Sequence, residues 1–430
     1  MCRARVSGRE WEGHDLKDFR KNSVIMIVLT AFSSGINYLS QIIMGKVLAV
    51  PSFGIMNSLF SLILVLNVFG TSVNMLTAKK VAEQSGDPVK ISVAARQMTQ
   101  ISLIVGAGFL AAGGIIGLGR VSLFGAAPVA LAFVAGIIAT NIFPYIISGI
   151  LTGQGRFIAA GLFSLIVPLF KICGVLTVRL WTGELRRQVW ILGLMLVGNL
   201  VSTALFRRVL YPPAAVSSSS LRREDKVLPD QSLLLVTGSN FMYLLFANMD
   251  ILLINQFCGA EEGGIYSASM LFGRIIFYFT AAVVSVLLPY AAKENHAGGS
   301  AAGIFRGSLC IILAASAVCI IPLIWAPELF IRLVYGETYL AAVRYIPFSC
   351  GIAVMISLFN LELNYFIGTG CEKRILIDQS AALAAMILLL IWRHGNAEDI
   401  LVDLLCVLTG LFFIKLPGCI GKTAKGGLRK

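Results

Sequence analysis

Three ionisable side chains, Lys171, Asp250 and Arg274, stand inside stretches that are otherwise apolar. A carboxylate in such a place responds to protons or to a small cation, whereas a guanidinium or an ammonium there binds an anion. Charges at membrane depth are costly and face a cavity, water or one another. Asp250 lies in "ANMDILLINQF" and precedes a polar turn near 260, and Arg274 follows that turn. At 1.5 Å per residue each sits ~15–20 Å from the turn along its helix, close to mid-membrane. Two readings stand for this couple. It is an ion pair fixing two neighbouring helices, or it is a cation-sensitive carboxylate and an anion-binding guanidinium facing a wet cleft. Lys171 has no carboxylate in its own stretch, so it gives up its proton, faces water or an anion, or pairs with another helix.

Amides accompany these charges. Asn74, Asn141, Asn240 and Asn248 fall in apolar stretches, as do Asn37, Gln41, Asn67, Asn360 and Asn364. Singly each suits a hydrogen bond between helices; together they suit a hydrated cleft that holds a sugar. Arg274, Lys171, Asn248, Asn240, Asn74 and Asn141 are therefore the candidate cavity residues, and Asp250 is the candidate for ion coupling. Glu362 and Asp378 flank a basic turn with Lys373 and Arg374, where interfacial ion pairs are expected.

Catalysis finds no comparable support. The histidines His14, His296 and His394 lie far apart in polar segments, and an intramembrane enzyme needs clustered His or carboxylates at one membrane face. The nine cysteines are scattered without a CxxC pair, so neither a metal nor a disulfide framework is expected, and no cofactor is implied. "GCIGKT" (418–423) only superficially resembles a phosphate loop, because Leu416 stands where that motif requires glycine. "GAGFLAAGGIIGLG" (106–119) carries small-residue spacings such as Gly113 to Gly117, which serve close helix packing.

The elements that must position these residues are transmembrane helices. Of the 430 residues, 57% are hydrophobic and 13% charged; a soluble domain is about one quarter charged. Apolar runs long enough to cross a ~30 Å hydrocarbon core recur from end to end. Twelve spans are predicted, at 23–45, 53–76, 99–118, 128–150, 158–180, 188–206, 232–257, 264–289, 304–325, 343–367, 374–392 and 397–416. With a cytoplasmic N-terminus, most of the 35 Lys and Arg residues fall on the inner side, including Arg207, Arg208, Arg222, Arg223 and Lys415. A multi-pass cell-membrane protein with both termini cytoplasmic follows. The first 22 residues are too polar for a signal peptide. The net charge of +13 needs no nucleic acid; topology and anionic inner-leaflet lipids account for it.

The halves resemble each other. "FGIMNSLFSLILVLNVFG" from Phe53 and "GGIYSASMLFGRIIFYF" from Gly263 both open a span after a short turn, and "LTGQGRF" (151–157) matches "IGTGCEKR" (367–374). A parallel duplication divides the chain into a cytoplasmic segment (1–22), an N-lobe (23–206), a linker (207–231), a C-lobe (232–416) and a cytoplasmic tail (417–430). Two such lobes create a central cleft.

The stretch "NMDILLINQFCGAEEGGIYSASMLFGRI" (248–275) resembles the helix 7–8 hairpin of polysaccharide flippases in the multidrug/oligosaccharidyl-lipid/polysaccharide exporter superfamily. "FGIMNSLFSLI", "ILTGQGRF", "LLPYAAKEN" and "RLVYGETYLAAVRYIP" extend the likeness over nearly the whole chain. The resemblance implies two six-helix lobes around a cationic central cavity, working by alternating access. The implied cargo is an undecaprenyl-pyrophosphate-linked oligosaccharide flipped from the inner to the outer leaflet for surface polysaccharide synthesis. Implied partners are that lipid-linked oligosaccharide, membrane lipids, H+ or Na+, and a glycan polymerase or glycosyltransferase. Asp250 matches the family's acidic position in helix 7, and Arg274 is placed for a pyrophosphate contact. Paired arginines of the kind expected for lipid II are absent from the first two spans. Two alternatives stay open: a cation-coupled multidrug or toxin exporter of the same superfamily, and an intramembrane polyprenyl-glycan enzyme.

Overall fold

The computed structural model describes residues 13–83, 99, 103–115, 122–210, 231–296, 302–369 and 371–420. Residues 1–12, the basic stretch holding Lys90 and Arg96, Gly117, nearly all of the linker and residues 421–430 of the tail lie outside them.

Helices account for almost every described residue, as the apolar periodicity predicts, and the one β contact is an isolated bridge between Leu123 and Ala126. The N-terminal half forms α1 (Gly13–Val47), α2 (Val50–Leu66), α3 (Val68–Glu83), α4 (Leu103–Ile115), α5 (Pro128–Gly153), α6 (Phe157–Ser164), α7 (Ile166–Thr177) and α8 (Glu184–Leu210). The C-terminal half forms α9 (Gln231–Phe246), α10 (Met249–Phe257), α11 (Ala260–His296), α12 (Ala302–Trp325), α13 (Pro327–Val334), α14 (Ile346–Gly368), α15 (Glu372–Trp392) and α16 (Ala397–Ile420). A 3-10 segment, Glu337–Tyr345, leads into α14. Each of the twelve predicted spans coincides with one or two of these helices. Among the described residues seven stretches are long and apolar enough to cross a membrane unaided, and the bent α9–α10 pair makes an eighth. The chain is a multi-pass membrane protein.

Three predicted spans are not single rods. α2 gives way to α3 at Asn67, α6 to α7 at Leu165, and α9 to α10 at a 50° bend. Interrupted helices at membrane depth persist only where neighbours satisfy the freed backbone groups. Here they do. Pro168 has no N–H to offer Ser164 one turn before it, and the Ser164 carbonyl instead accepts a hydrogen bond from Ser33 Oγ of α1 at 3.2 Å. At the α9–α10 bend, the backbone N–H of Asn248 donates to Leu245 at 3.2 Å. Its side-chain amide then donates to the Leu244 carbonyl at 2.9 Å.

The two halves meet at the bundle end that holds the turns between α1 and α2 and between α10 and α11, the outer end in the predicted orientation. A Cβ on Gly264 would run into the Val50 carbonyl, and one on Gly54 would lie 2.5 Å from the Ala260 carbonyl. Only glycine permits that approach. Asn255 Nδ2 donates to the Gly54 carbonyl (3.1 Å) and to Ser58 Oγ (2.6 Å), and Ser58 Oγ donates to the Ile251 carbonyl (3.2 Å). Tyr339 of the 3-10 segment donates to the Gly45 carbonyl at 3.0 Å, and its ring meets Phe53 edge-on at 5.9 Å. Away from this seam α4 lies on α5 through Gly106 and Gly113, whose missing side chains make room for Ala139 and Ala135. That is the packing role expected of the small-residue stretch.

Two charges fall elsewhere than expected. Glu362, predicted at the interface, is 0% exposed, with Lys415 and Asp378 as its charged neighbours. Lys415, counted with the inner basic residues, is buried within α16. Both lie inside their predicted spans, and the packing of α14 against α16, with Lys415 over the Phe359 ring, covers the charges.

Candidate functional site

A cavity of about 370 Å³ lies within the N-terminal lobe, walled by α1, α2, α5, α6, α7 and α8, and Arg274 of α11 closes it from the other lobe. Its lining residues lie roughly 15–25 Å along their helices from the seam, at 1.5 Å per residue, and so around mid-membrane.

Lys171 enters from α7, one turn past Pro168, and is 5% exposed. Its ammonium lies 4.1 Å from the centre of the Phe60 ring and donates to Asn37 Oδ1 at 3.4 Å. A cation over an aromatic face gains electrostatic attraction, but one long amide contact leaves most of its donor capacity unspent. Arg274 forms no ion pair with Asp250 among the described residues. The two cations, brought to one space from opposite lobes, therefore form a positive wall. No Asp or Glu occurs among the described lining residues.

Amides fill much of the remaining surface. Asn141 Nδ2 donates to Asn67 Oδ1 at 2.9 Å, across the α2–α3 break. Asn199 donates to the Ile137 carbonyl at 3.3 Å, while its own Oδ1 and the hydroxyl of Ser202 have no partner among the described residues. Buried polar atoms without partners cost about 1–3 kcal/mol each, so these two are poised to accept water or a polar ligand.

The seven candidates from the sequence divide between two settings. Lys171, Arg274 and Asn141 line the cavity, together with Asn37, Gln41 and Asn67. Asn74, Asn240 and Asn248 do not line it: Asn74 Nδ2 donates to the Tyr145 carbonyl at 2.9 Å, and Asn240 Nδ2 donates to Val236 of its own helix at 3.0 Å. Asn248 covers the carbonyl at its bend. Asn199, Ser202 and Tyr145 line the cavity without having been singled out. Asn199 carried the same signal as the other amides, a polar side chain in an apolar span, and α8 places it beside α5.

Asp250 occupies the first turn of α10 and is 4% exposed. A helix N-terminus favours a carboxylate through its free N–H groups and its dipole, so the bend that ends α9 also builds the seat for this charge. Tyr266 donates to its Oδ2 at 2.6 Å, and Oδ1 has no partner among the described residues. The carboxylate is not among the residues that line the cavity, and Arg274, which does line it, is its charged neighbour.

Among known proteins, residues 233–344 match the family described as polysaccharide biosynthesis protein. No curated protein sequence matches the chain. Solved structures resemble it over nearly its full length. An inward-closed structure of the lipid II flippase MurJ matches with a TM-score of 0.65 and 13% identity, covering 91% of this chain and 87% of that one. A MOP superfamily transporter from Pyrococcus furiosus Vc1, described as having a binding pocket of reverse polarity, matches with a TM-score of 0.59 and 14% identity over 93% and 95%. An outward-facing multidrug resistance MATE family transporter gives 0.58 and 14% over the same shares.

Proposed function

From the fold it shares with transporters of the MOP superfamily, and from its match to polysaccharide biosynthesis proteins, we propose that this chain flips a lipid-linked oligosaccharide. The cargo carries a pyrophosphate on an undecaprenyl-type lipid and moves from the inner to the outer leaflet by alternating access. The observation that carries this reading is the cavity with Lys171 and Arg274 on its wall, amides around them and no carboxylate among its described lining residues. A glycan pyrophosphate cannot enter hydrocarbon unaided, because each polar group left without a partner costs several kcal/mol there. Two cations replace the hydration of the pyrophosphate, and amides replace that of the sugar. A space of about 370 Å³ holds a headgroup and the first sugar, so the lipid tail stays in the bilayer. The close seam supports a state shut on the outer side, with both termini cytoplasmic, that loads from the inner leaflet.

Asp250 serves as the coupling residue. Its Oδ1, without a partner among the described residues, accepts a proton or faces a small cation, and the change in charge biases the seam toward opening or closure. The second reading, a cation-coupled multidrug exporter, draws on the likeness to a multidrug resistance transporter. Cationic drugs want a carboxylate on the cavity wall, which this wall lacks among its described residues.

The test is transport in proteoliposomes. A fluorescent undecaprenyl-pyrophosphate oligosaccharide loaded on one side should become accessible to an impermeant lectin on the other with the native protein. A cationic dye should not move. Dye movement without glycolipid movement would overturn the reading in favour of drug export.

A further inference from the structure

We infer that Tyr266 is the positioning residue through which Asp250 controls the closed seam between the lobes. The inference rests on the reading of Asp250 as the coupling residue and names the path by which its charge acts.

Asp250 does not itself touch the N-terminal lobe's closing contacts, but a continuous set of contacts leads from it to them. Tyr266 of α11, wholly buried, donates its hydroxyl to Asp250 Oδ2 at 2.6 Å. Its ring meets the ring of Tyr345 edge-on, with centroids 5.7 Å apart. The Tyr345 hydroxyl donates to Glu262 at the start of α11, and Glu262 also receives Arg344 as an ion pair. These bonds fasten the 3-10 segment Glu337–Tyr345 to α11. At its other end the same segment carries Tyr339, whose hydroxyl holds the Gly45 carbonyl of α1. Tyr335, just before it, fills the space that Gly45 leaves open by lacking a side chain. The segment is thus a strap, held to the C-terminal lobe by Tyr345 and to the N-terminal lobe by Tyr339.

A buried tyrosine hydroxyl that donates to a carboxylate makes a strong, short bond. Neutralising the carboxylate, or drawing it toward a cation at Oδ1, weakens that bond and frees the Tyr266 ring to shift. The Tyr345 ring packed on it then loses its support, and the strap loosens from Gly45. The residue following Asp250 shifts with it: the Ile251 carbonyl accepts from Ser58 of α2, so movement of the first turn of α10 strains a second closing contact.

The test is amide hydrogen exchange in nanodiscs on the full chain. It compares residues 45–58 and 337–345 in the native protein, Asp250→Asn, Tyr266→Phe and the double variant, with 128–153 as control. Tyr266→Phe keeps the ring contact and removes only the hydroxyl. Each single variant should raise exchange in both seam segments about tenfold, the loss of one charge-assisted hydrogen bond. The double variant should match the singles, and the control should not change. Native-like exchange in Tyr266→Phe, effects that multiply in the double variant, or a rise that includes the control would each overturn the inference. If Tyr266→Phe does not fold, Tyr345→Phe, which releases Glu262, must give the same pattern in the two segments, and its failure to do so counts equally against the strap. Glycolipid transport measured alongside separates the two claims. Unimpaired transport in Asp250→Asn removes Asp250 from coupling, whereas the exchange pattern alone decides whether Tyr266 links it to the seam.

Discussion

Lys171 and Arg274 are the two residues on which the cargo reading turns, and both were legible in the sequence because a charge in an apolar span has few uses. Which amides join them was less legible. Asn74, Asn141, Asn240 and Asn248 look alike as letters, yet only Asn141 reaches the cavity, because orientation around a helix depends on where the helix breaks. Replacing Lys171 or Arg274 by Gln should leave the protein folded and as heat-stable as the native chain, since neither holds an ion pair that would be left half empty. Transport of a pyrophosphate-linked glycan should fall by roughly ten- to a hundredfold, the worth of one hydrogen bond to a charged group. Thermal unfolding and the proteoliposome assay, run on the same preparations, check both halves. Asn248→Leu should behave oppositely. It leaves the Leu244 carbonyl bare at the α9–α10 bend, which costs about 1–3 kcal/mol of stability, and lowers the unfolding temperature before it touches cargo selectivity.

At the scale of elements, hydropathy located the helices among the described residues but not the interruptions within three of them. Mean apolarity does not change across a bend. Two of the local signals were Pro168, which withholds a backbone hydrogen bond, and Asn248, which redirects one. These breaks matter because they set the functional groups: Lys171 follows one, Asn67 marks another and Asp250 opens the helix after the third. Glycine packing was legible in the stretch 106–119 but not at the seam, since only the folded chain shows Gly264 against Val50. Gly264→Ala must push α2 and α11 apart. We expect the variant to lose protection at the seam, seen as faster hydrogen exchange over 50–58 and 260–267, with α5 unaffected. Unchanged exchange there would mean that the two lobes do not rely on this contact for closure.

Across the whole molecule, two helical lobes were visible in the sequence, and the fold resembles those of solved transporters over nearly its full length. The asymmetry between the lobes was not visible. The described cavity belongs almost wholly to the N-terminal lobe, with Arg274 as the C-terminal lobe's contribution, while Asp250 and the buried Glu362 and Lys415 lie within the C-terminal lobe. Under the proposed function, cargo recognition and coupling would fall to different lobes that meet at one seam, a division that no count of charges along the chain reveals. Cross-linking the seam through Ser58→Cys and Asn255→Cys, whose native side chains meet at 2.6 Å, in a background without native cysteines, should abolish glycolipid transport, and reduction should restore it. Binding of the cargo from the opposite side should survive the cross-link.

The most direct test of the cationic cavity compares two lipids with the same tail. Undecaprenyl pyrophosphate and the uncharged undecaprenol are titrated against the native protein and against Lys171→Gln/Arg274→Gln, with binding read by native mass spectrometry. The native protein should retain the pyrophosphate and not the alcohol, and the double variant should lose that preference. Equal retention of both lipids by the native protein, or a preference that persists without the two cations, would contradict the account.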